Sequence, residues 1–88
     1  MDILEIKKYG NIEHDEDDSL LEELKLTAEE YLDGAGIKNN YTKHRYKLAI
    51  KILVIHWYDN RNVQGEEKTL PYGLKSLIEQ LRWDEDEV

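Results

Sequence analysis

The stretch Leu48-Ala49-Ile50-Lys51-Ile52-Leu53-Val54-Ile55-His56-Trp57-Tyr58 decides the fold. At the ~100° per residue of an α-helix, its apolar side chains point in nearly every direction. Only Lys43, Lys47, Lys51 and Tyr58 form a narrow stripe suited to water. A helix this apolar is central to a protein and wrapped by its neighbours. It is not a membrane span, because no apolar run in the chain reaches the ~20 residues that a bilayer requires.

Working outward, Thr42 is placed to cap this helix, which the pattern extends over about Lys43 to Arg61. Upstream, Leu20, Leu21, Leu24, Ala28, Tyr31, Leu32 and Ala35 fall within ~120° of arc, the signature of an amphipathic helix. Ser19 and Glu22 have the spacing of a capping box at its start. Gly34-Ala35-Gly36 ends it, and Leu26 points away from its apolar face. Before it lie the charged loop His14–Asp18 and a short helix over Ile3–Tyr9, capped by Asp2 and stopped by Gly10-Asn11. After the central helix, Asn62–Thr69 reads as a polar connector. Pro71 suits the first turn of a last helix with Leu74, Leu77, Ile78 and Leu81 on one stripe. Asp84–Val88 reads as a frayed acidic end. The expected architecture is all-α: one domain over residues 1–88, a compact bundle of three to four antiparallel helices around a central apolar one.

The formal net charge is −8, and its distribution is uneven. Residues 1–33 hold twelve acids and three bases, residues 34–64 one and six, and residues 65–88 seven and three, giving −9, +5 and −4. An acidic chain is poorly suited to bind phosphate backbones, which argues against nucleic acid as a direct ligand. The plain account of the segregation is that each helix has a solvated face. The sharper one is that the basic middle of one copy meets the acidic ends of the next, with Lys47 and Lys51 in the contact. With no cysteine there are no disulfides or thiolate metal sites. The N-terminus lacks the basic start and apolar core of a signal peptide, so the chain is expected to stay in the cytoplasm where it is made.

Motifs for catalysis are missing from the sequence. Gly34-Ala35-Gly36 begins like a dinucleotide fingerprint, but it follows a helix and Asn39 stands at the third glycine position. The acidic run at 14–18 lacks the glycine and the bidentate glutamate of a calcium loop; Leu20 and Leu26 occupy those positions. His14, His44 and His56 have no metal-ligand spacing. His56 lies on the side of the helix opposite Lys47, with Leu53 and Asn60, and reads with Trp57 as part of the buried structure. No catalytic, cofactor-binding or metal-binding residue is assigned. Trp83 falls off the apolar stripe of the last helix, and with Arg82 it is a candidate anchor for another chain.

His56-Trp57-Tyr58-Asp59-Asn60-Arg61, then Leu70-Pro71-Tyr72-Gly73-Leu74 and a short amphipathic helix, resemble the head–tail connector (adaptor) family of tailed bacteriophages and prophages. Tyr31-Leu32-Asp33-Gly34-Ala35-Gly36 matches that family's segment closing the preceding helix, and the similarity runs from about residue 3 to residue 82. The resemblance implies a structural virion protein, made in the host cytoplasm, without catalysis or cofactor. It implies a ring of about twelve copies beneath the portal protein. That ring would extend the channel through which DNA passes without specific binding and dock a downstream stopper or tail-completion protein, with no membrane involved. The alternative from another class is a small acidic inhibitor or antitoxin-like protein that binds one host protein. Stoichiometry with the partner separates the two.

Overall fold

Asp2 opens the first helix by accepting the Leu4 backbone N–H on its carboxylate at 2.9 Å. In the computed structural model, which describes residues 1–60 and 73–86, four helices follow: α1 (Ile3–Gly10), α2 (Asp18–Gly34), α3 (His44–Asp59) and α4 (Leu74–Asp86). There is no strand among the described residues. The expected end of the central helix at Arg61, the connector Asn62–Thr69, the Leu70-Pro71-Tyr72 segment and Glu87-Val88 lie outside them.

Local chemistry sets most boundaries. Asn11 ends α1 in the left-handed conformation, φ 56°, which asparagine tolerates better than most residues. At the end of α2, Gly36 takes φ 90°. Its N–H reaches the Asp33 carbonyl at 3.0 Å, and the Ile37 N–H reaches the Leu32 carbonyl at 2.9 Å. This is the Schellman arrangement, completed by an apolar residue that folds back on the helix; Ile37 is buried.

Three sequence expectations are corrected at the ends. The Ser19–Glu22 capping box does not form, because α2 starts two residues earlier with Asp17 at the cap. The adjacent carboxylates bind elsewhere: Asp17 accepts from the Tyr58 hydroxyl and Asp18 from the Lys7 ammonium. Thr42 does not cap α3; its hydroxyl binds the Asn40 side chain, and Lys43 takes the cap position. The last helix runs further than expected, since α4 continues to Asp86. Asp84 is gripped by Arg45 at 2.5 Å, with Lys43 at 3.8 Å.

Helix α3 touches each of the other three, and α1 also touches α2. Tyr46, Ala49, Ile50, Leu53 and Val54 of α3 are fully buried, with Leu21, Ala28 and Leu32 from α2 and Leu74 and Leu81 from α4. The last turn of α3 ties down both ends of α2. Tyr58 reaches Asp17 at its start, while Trp57 meets Tyr31 in its final turn edge-on, ring centres 6.0 Å apart.

An eight-residue helix such as α1 is not stable alone. Ile6 supplies a fully buried apolar side chain, worth roughly 2–3 kcal/mol. Beside it Lys7 is 7% exposed, with its Nζ 2.7 Å from Asp15 and 2.9 Å from Asp18. These bonds raise the Lys7 pKa, Asp15 contributing most, and lower that of Asp15. At the other end Gly10 lies so close to α3 that a Cβ there would sit 2.5 Å from Ile55 Cδ1. An alanine would force Ile55 to another rotamer.

Tyr46 is fully buried, yet its hydroxyl has no hydrogen-bond partner among the described residues. Its ring packs edge-on against Tyr41 at 5.0 Å. Burial, then the nearby Glu29 and Asp33 carboxylates, push its pKa up to about 12.

Two stability predictions follow from these buried polar groups. Lys7→Met keeps the apolar stem and removes the ammonium, so the variant is less stable than the parent at pH 7. The contribution of Asp15, whose folded pKa is lowered, is whole above the ordinary carboxylate value of about 3.8 and is lost as pH falls through the folded value. Denaturant melts at pH 7 and pH 3 should therefore show a deficit at the first and a shrunken one at the second; equal deficits would assign the effect to packing alone. Tyr46→Phe removes an unsatisfied buried hydroxyl and should be neutral or stabilising by up to about 1 kcal/mol. In the parent, Tyr46 keeps its proton when folded while the unfolded chain loses it, so stability falls as pH rises from about 10 to about 12. The variant should show a shallower alkaline decline in thermal melts. A loss of 2 kcal/mol or more would mean that the hydroxyl has a partner after all.

Candidate protein-interaction surfaces

Lys47 and Lys51 lie one turn apart on α3, and both are taken up inside the chain. Their ammonium groups stand 3.3 and 3.7 Å from the same Glu5 carboxylate oxygen on α1, and their side chains are about a quarter exposed. The stripe that the sequence assigned to water and to a partner is thus covered by α1. The physical reason is proximity: an N-terminal segment of charge −9 finds its nearest basic surface on its own central helix. Lys43 and Arg45 do the same for Asp84 on α4. The basic middle meets the acidic ends within one chain.

The group expected to be buried divides. Leu53 is fully buried. Trp57 is half-buried against Tyr31. His56 is also only half-buried, and Asn60 is exposed, which corrects the interior placement of both. Because α3 ends at Asp59, Asn60 becomes its C-cap. Its side-chain amide donates to the His56 carbonyl at 2.8 Å and lies 3.3 Å from the His56 ring Nδ1. The pair closes a helix end, where carbonyls lack partners.

On α4, Leu74, Ile78 and Leu81 turn toward the core, and Trp83 turns away with 63% of its surface exposed. Ser76, Glu79, Gln80 and Trp83 share this outer face and line a shallow depression. Arg82 is exposed beside it. An exposed tryptophan in a concave polar surround is suited to protein contact, since it offers a large apolar area with few rotamers to freeze.

Two further exposed leucines stand out. Leu26 on α2, expected to point outward, is 57% exposed, and the exposed Glu22, Glu23 and Glu30 lie one turn from it. Leu48 on α3 is 40% exposed, although it opens the run that reads as wrapped on all sides. A closer reading of the wheel shows why. Leu48, Ile52 and Ile55 recur at i, i+4 and i+7 beside the lysine stripe, so covering the lysines with α1 leaves their neighbours at the edge.

A further polar cluster joins α2 to the segment before α3. Tyr41 donates to Glu29 and carries the Lys25 ammonium 5.7 Å from its ring centre. Burial, then the Glu29 hydrogen bond, raise the Tyr41 pKa. Among the described residues, no three His, Asp or Glu side chains are grouped to hold a metal. No described helix is long and apolar enough to cross a membrane.

Against known proteins, residues 1–82 match the family model for phage gp6-like head-tail connector proteins. No curated protein and no solved structure matches the chain.

Proposed function

From the premise that this chain belongs to the phage gp6-like head-tail connector family, we propose that it assembles as a ring beneath the portal protein and docks the next stopper or tail component. A structural connector role in the phage particle is what the family supports. The ring, the portal contact and the channel are our reading. In it the chain acts as a single helical domain, made in the host cytoplasm and resident at the head–tail interface of the virion. DNA slides through the ring without specific binding. A surface rich in unpaired carboxylates, such as Glu22, Glu23, Glu30 and Asp33, favours sliding because it repels phosphate.

The observation that carries the portal contact is the outward face of α4. Trp83 contributes little to the core and is held on a helix that Asp84 ties to α3. That arrangement gives a rigid, pre-positioned anchor, which loses less entropy on binding than a flexible tail. Arg82 adds a planar fork for a carboxylate on the partner.

Trp83→Ala should therefore weaken binding to the portal protein by about 2 kcal/mol or more, the scale of a tryptophan hot spot. The melting temperature of the free chain should hardly move, because the side chain is mostly solvated. Surface plasmon resonance against immobilised portal protein, paired with a thermal melt, reads both. Unchanged affinity with a lowered melting temperature would make Trp83 a packing residue and remove the anchor.

A further inference from the structure

Leu26 and Leu48 lie on opposite sides of the molecule. On α2, Leu26 is displaced by ~120° to 160° around the helix from the buried Leu21, Ala28 and Leu32. On α3, Leu48 precedes Trp57 by nine residues, which is about half a turn around the axis. Trp57 faces α2 through Tyr31, so Leu48 faces away from α2. It lies in a strip between the side of α3 that pairs with α1, at Lys47 and Lys51, and the side that pairs with α4, at Arg45.

The two surroundings carry opposite charge. Leu26 is flanked along α2 by the exposed carboxylates of Glu22, Glu23 and Glu30. Next to Leu48, one turn earlier, are the exposed His44 and Arg45, and a shallow depression lined by Thr42, Lys43, His44 and Arg45. Arg45 keeps 51% of its side chain exposed even while it holds Asp84. Each patch is an apolar knob whose border has an excess of one sign: around Leu26, Glu22, Glu23 and Glu30 outnumber Lys25, and around Leu48, Lys43 and Arg45 outnumber the Asp84 carboxylate that they share.

We infer that these two patches are partners between copies: the Leu26 patch of one chain seats on the Leu48 patch of the next. Charge complementarity selects the occupant, since an acidic-bordered leucine fits a basic-bordered one and repels its own kind. Placement on opposite sides makes the contact head-to-tail, which closes into a ring or runs on as a filament and cannot stop at a two-fold dimer. One helix face per side buries less than the roughly 800 Å² per partner of a stable interface, so the contact is weak until a template aligns the copies. This inference rests on the connector reading for its biological use, but the contact can be tested without the portal.

The absence of cysteine makes a covalent trap specific. Leu26→Cys and Leu48→Cys chains, each confirmed as folded by its thermal melt, are mixed in equal amounts and oxidised, and the disulfide products are resolved by mass. The mixed Leu26→Cys/Leu48→Cys product should exceed either like-with-like product by about tenfold, the scale on which complementary charge selects partners. That preference should collapse in about 1 M salt, where charges are screened beyond ~3 Å. His44→Glu on the Leu48→Cys chain should suppress the mixed product, and Glu22→Lys with Glu30→Lys on the Leu26→Cys chain should restore it. Like-with-like products in equal or greater yield, or a charge swap without rescue, would overturn the pairing. Repeating the oxidation with portal protein present separates this from the connector reading. Portal binding without the mixed disulfide sinks the pairing alone, whereas the mixed disulfide without portal binding sinks the portal contact alone.

Discussion

Helix α3 carries apolar side chains over more of its circumference than one neighbour can cover, and everything else in the chain is arranged around that demand. Burying a leucine or isoleucine side chain is worth roughly 1.5–3 kcal/mol, so five fully buried positions on one helix dominate a chain this short. Helix α2 covers the side of Tyr46 and Trp57, α4 the side next to Arg45, and α1 the side of Lys47 and Lys51. Among the described residues three helices cover α3 and one strip stays open, in which Leu48 is exposed.

The same arrangement accounts for the charges. Two covering helices bring carboxylates to the margins of α3, Glu5 from α1 and Asp84 from α4, and the lysines and arginine that frame the apolar run receive them. Pairs this exposed are individually worth less than about 1 kcal/mol. They act more as selectors of packing than as a source of stability, since a helix docked in the wrong register would set like charges together. Lys7 differs because it is nearly buried and donates to two carboxylates. Its two bonds fix the turn between α1 and α2 together with Ile12, which packs against the core.

The helical elements were legible because hydrophobic period, glycine and asparagine leave strong local marks. Asp2, Asn11 and the Gly34–Gly36 stop act where the sequence puts them. What sequence could not provide was the competition for polar groups across the fold. Ser19 has the spacing of a cap, but α2 begins earlier because Lys7 and Tyr58 hold Asp18 and Asp17 in place from other helices. Thr42 spends its hydroxyl on the Asn40 side chain, and Lys43 takes the cap position. The exposure of Trp83 and Arg82 could be read because they fall off a stripe whose inward side is evident. The pairing of Lys47 and Lys51 with Glu5 could not be read, because a polar stripe on a helix looks the same whether water or a short acidic helix covers it.

Internal use of the basic side chains shapes what the outside presents. If the bases of the central segment were free, the surface would be a mosaic; with Lys43, Arg45, Lys47 and Lys51 engaged, the carboxylates of α2 face outward with few cations near them. Copies of a chain with net charge −8 repel one another at long range, most strongly at low salt. A multimer of such copies then needs contacts that concentrate opposite charge locally, or a partner that holds the copies together against the repulsion. Both conditions favour assembly on a pre-existing structure over assembly from free chains, because a template supplies proximity that weak, charge-selected faces cannot generate alone. A small core and an acidic exterior describe a part whose specificity resides in where its faces point.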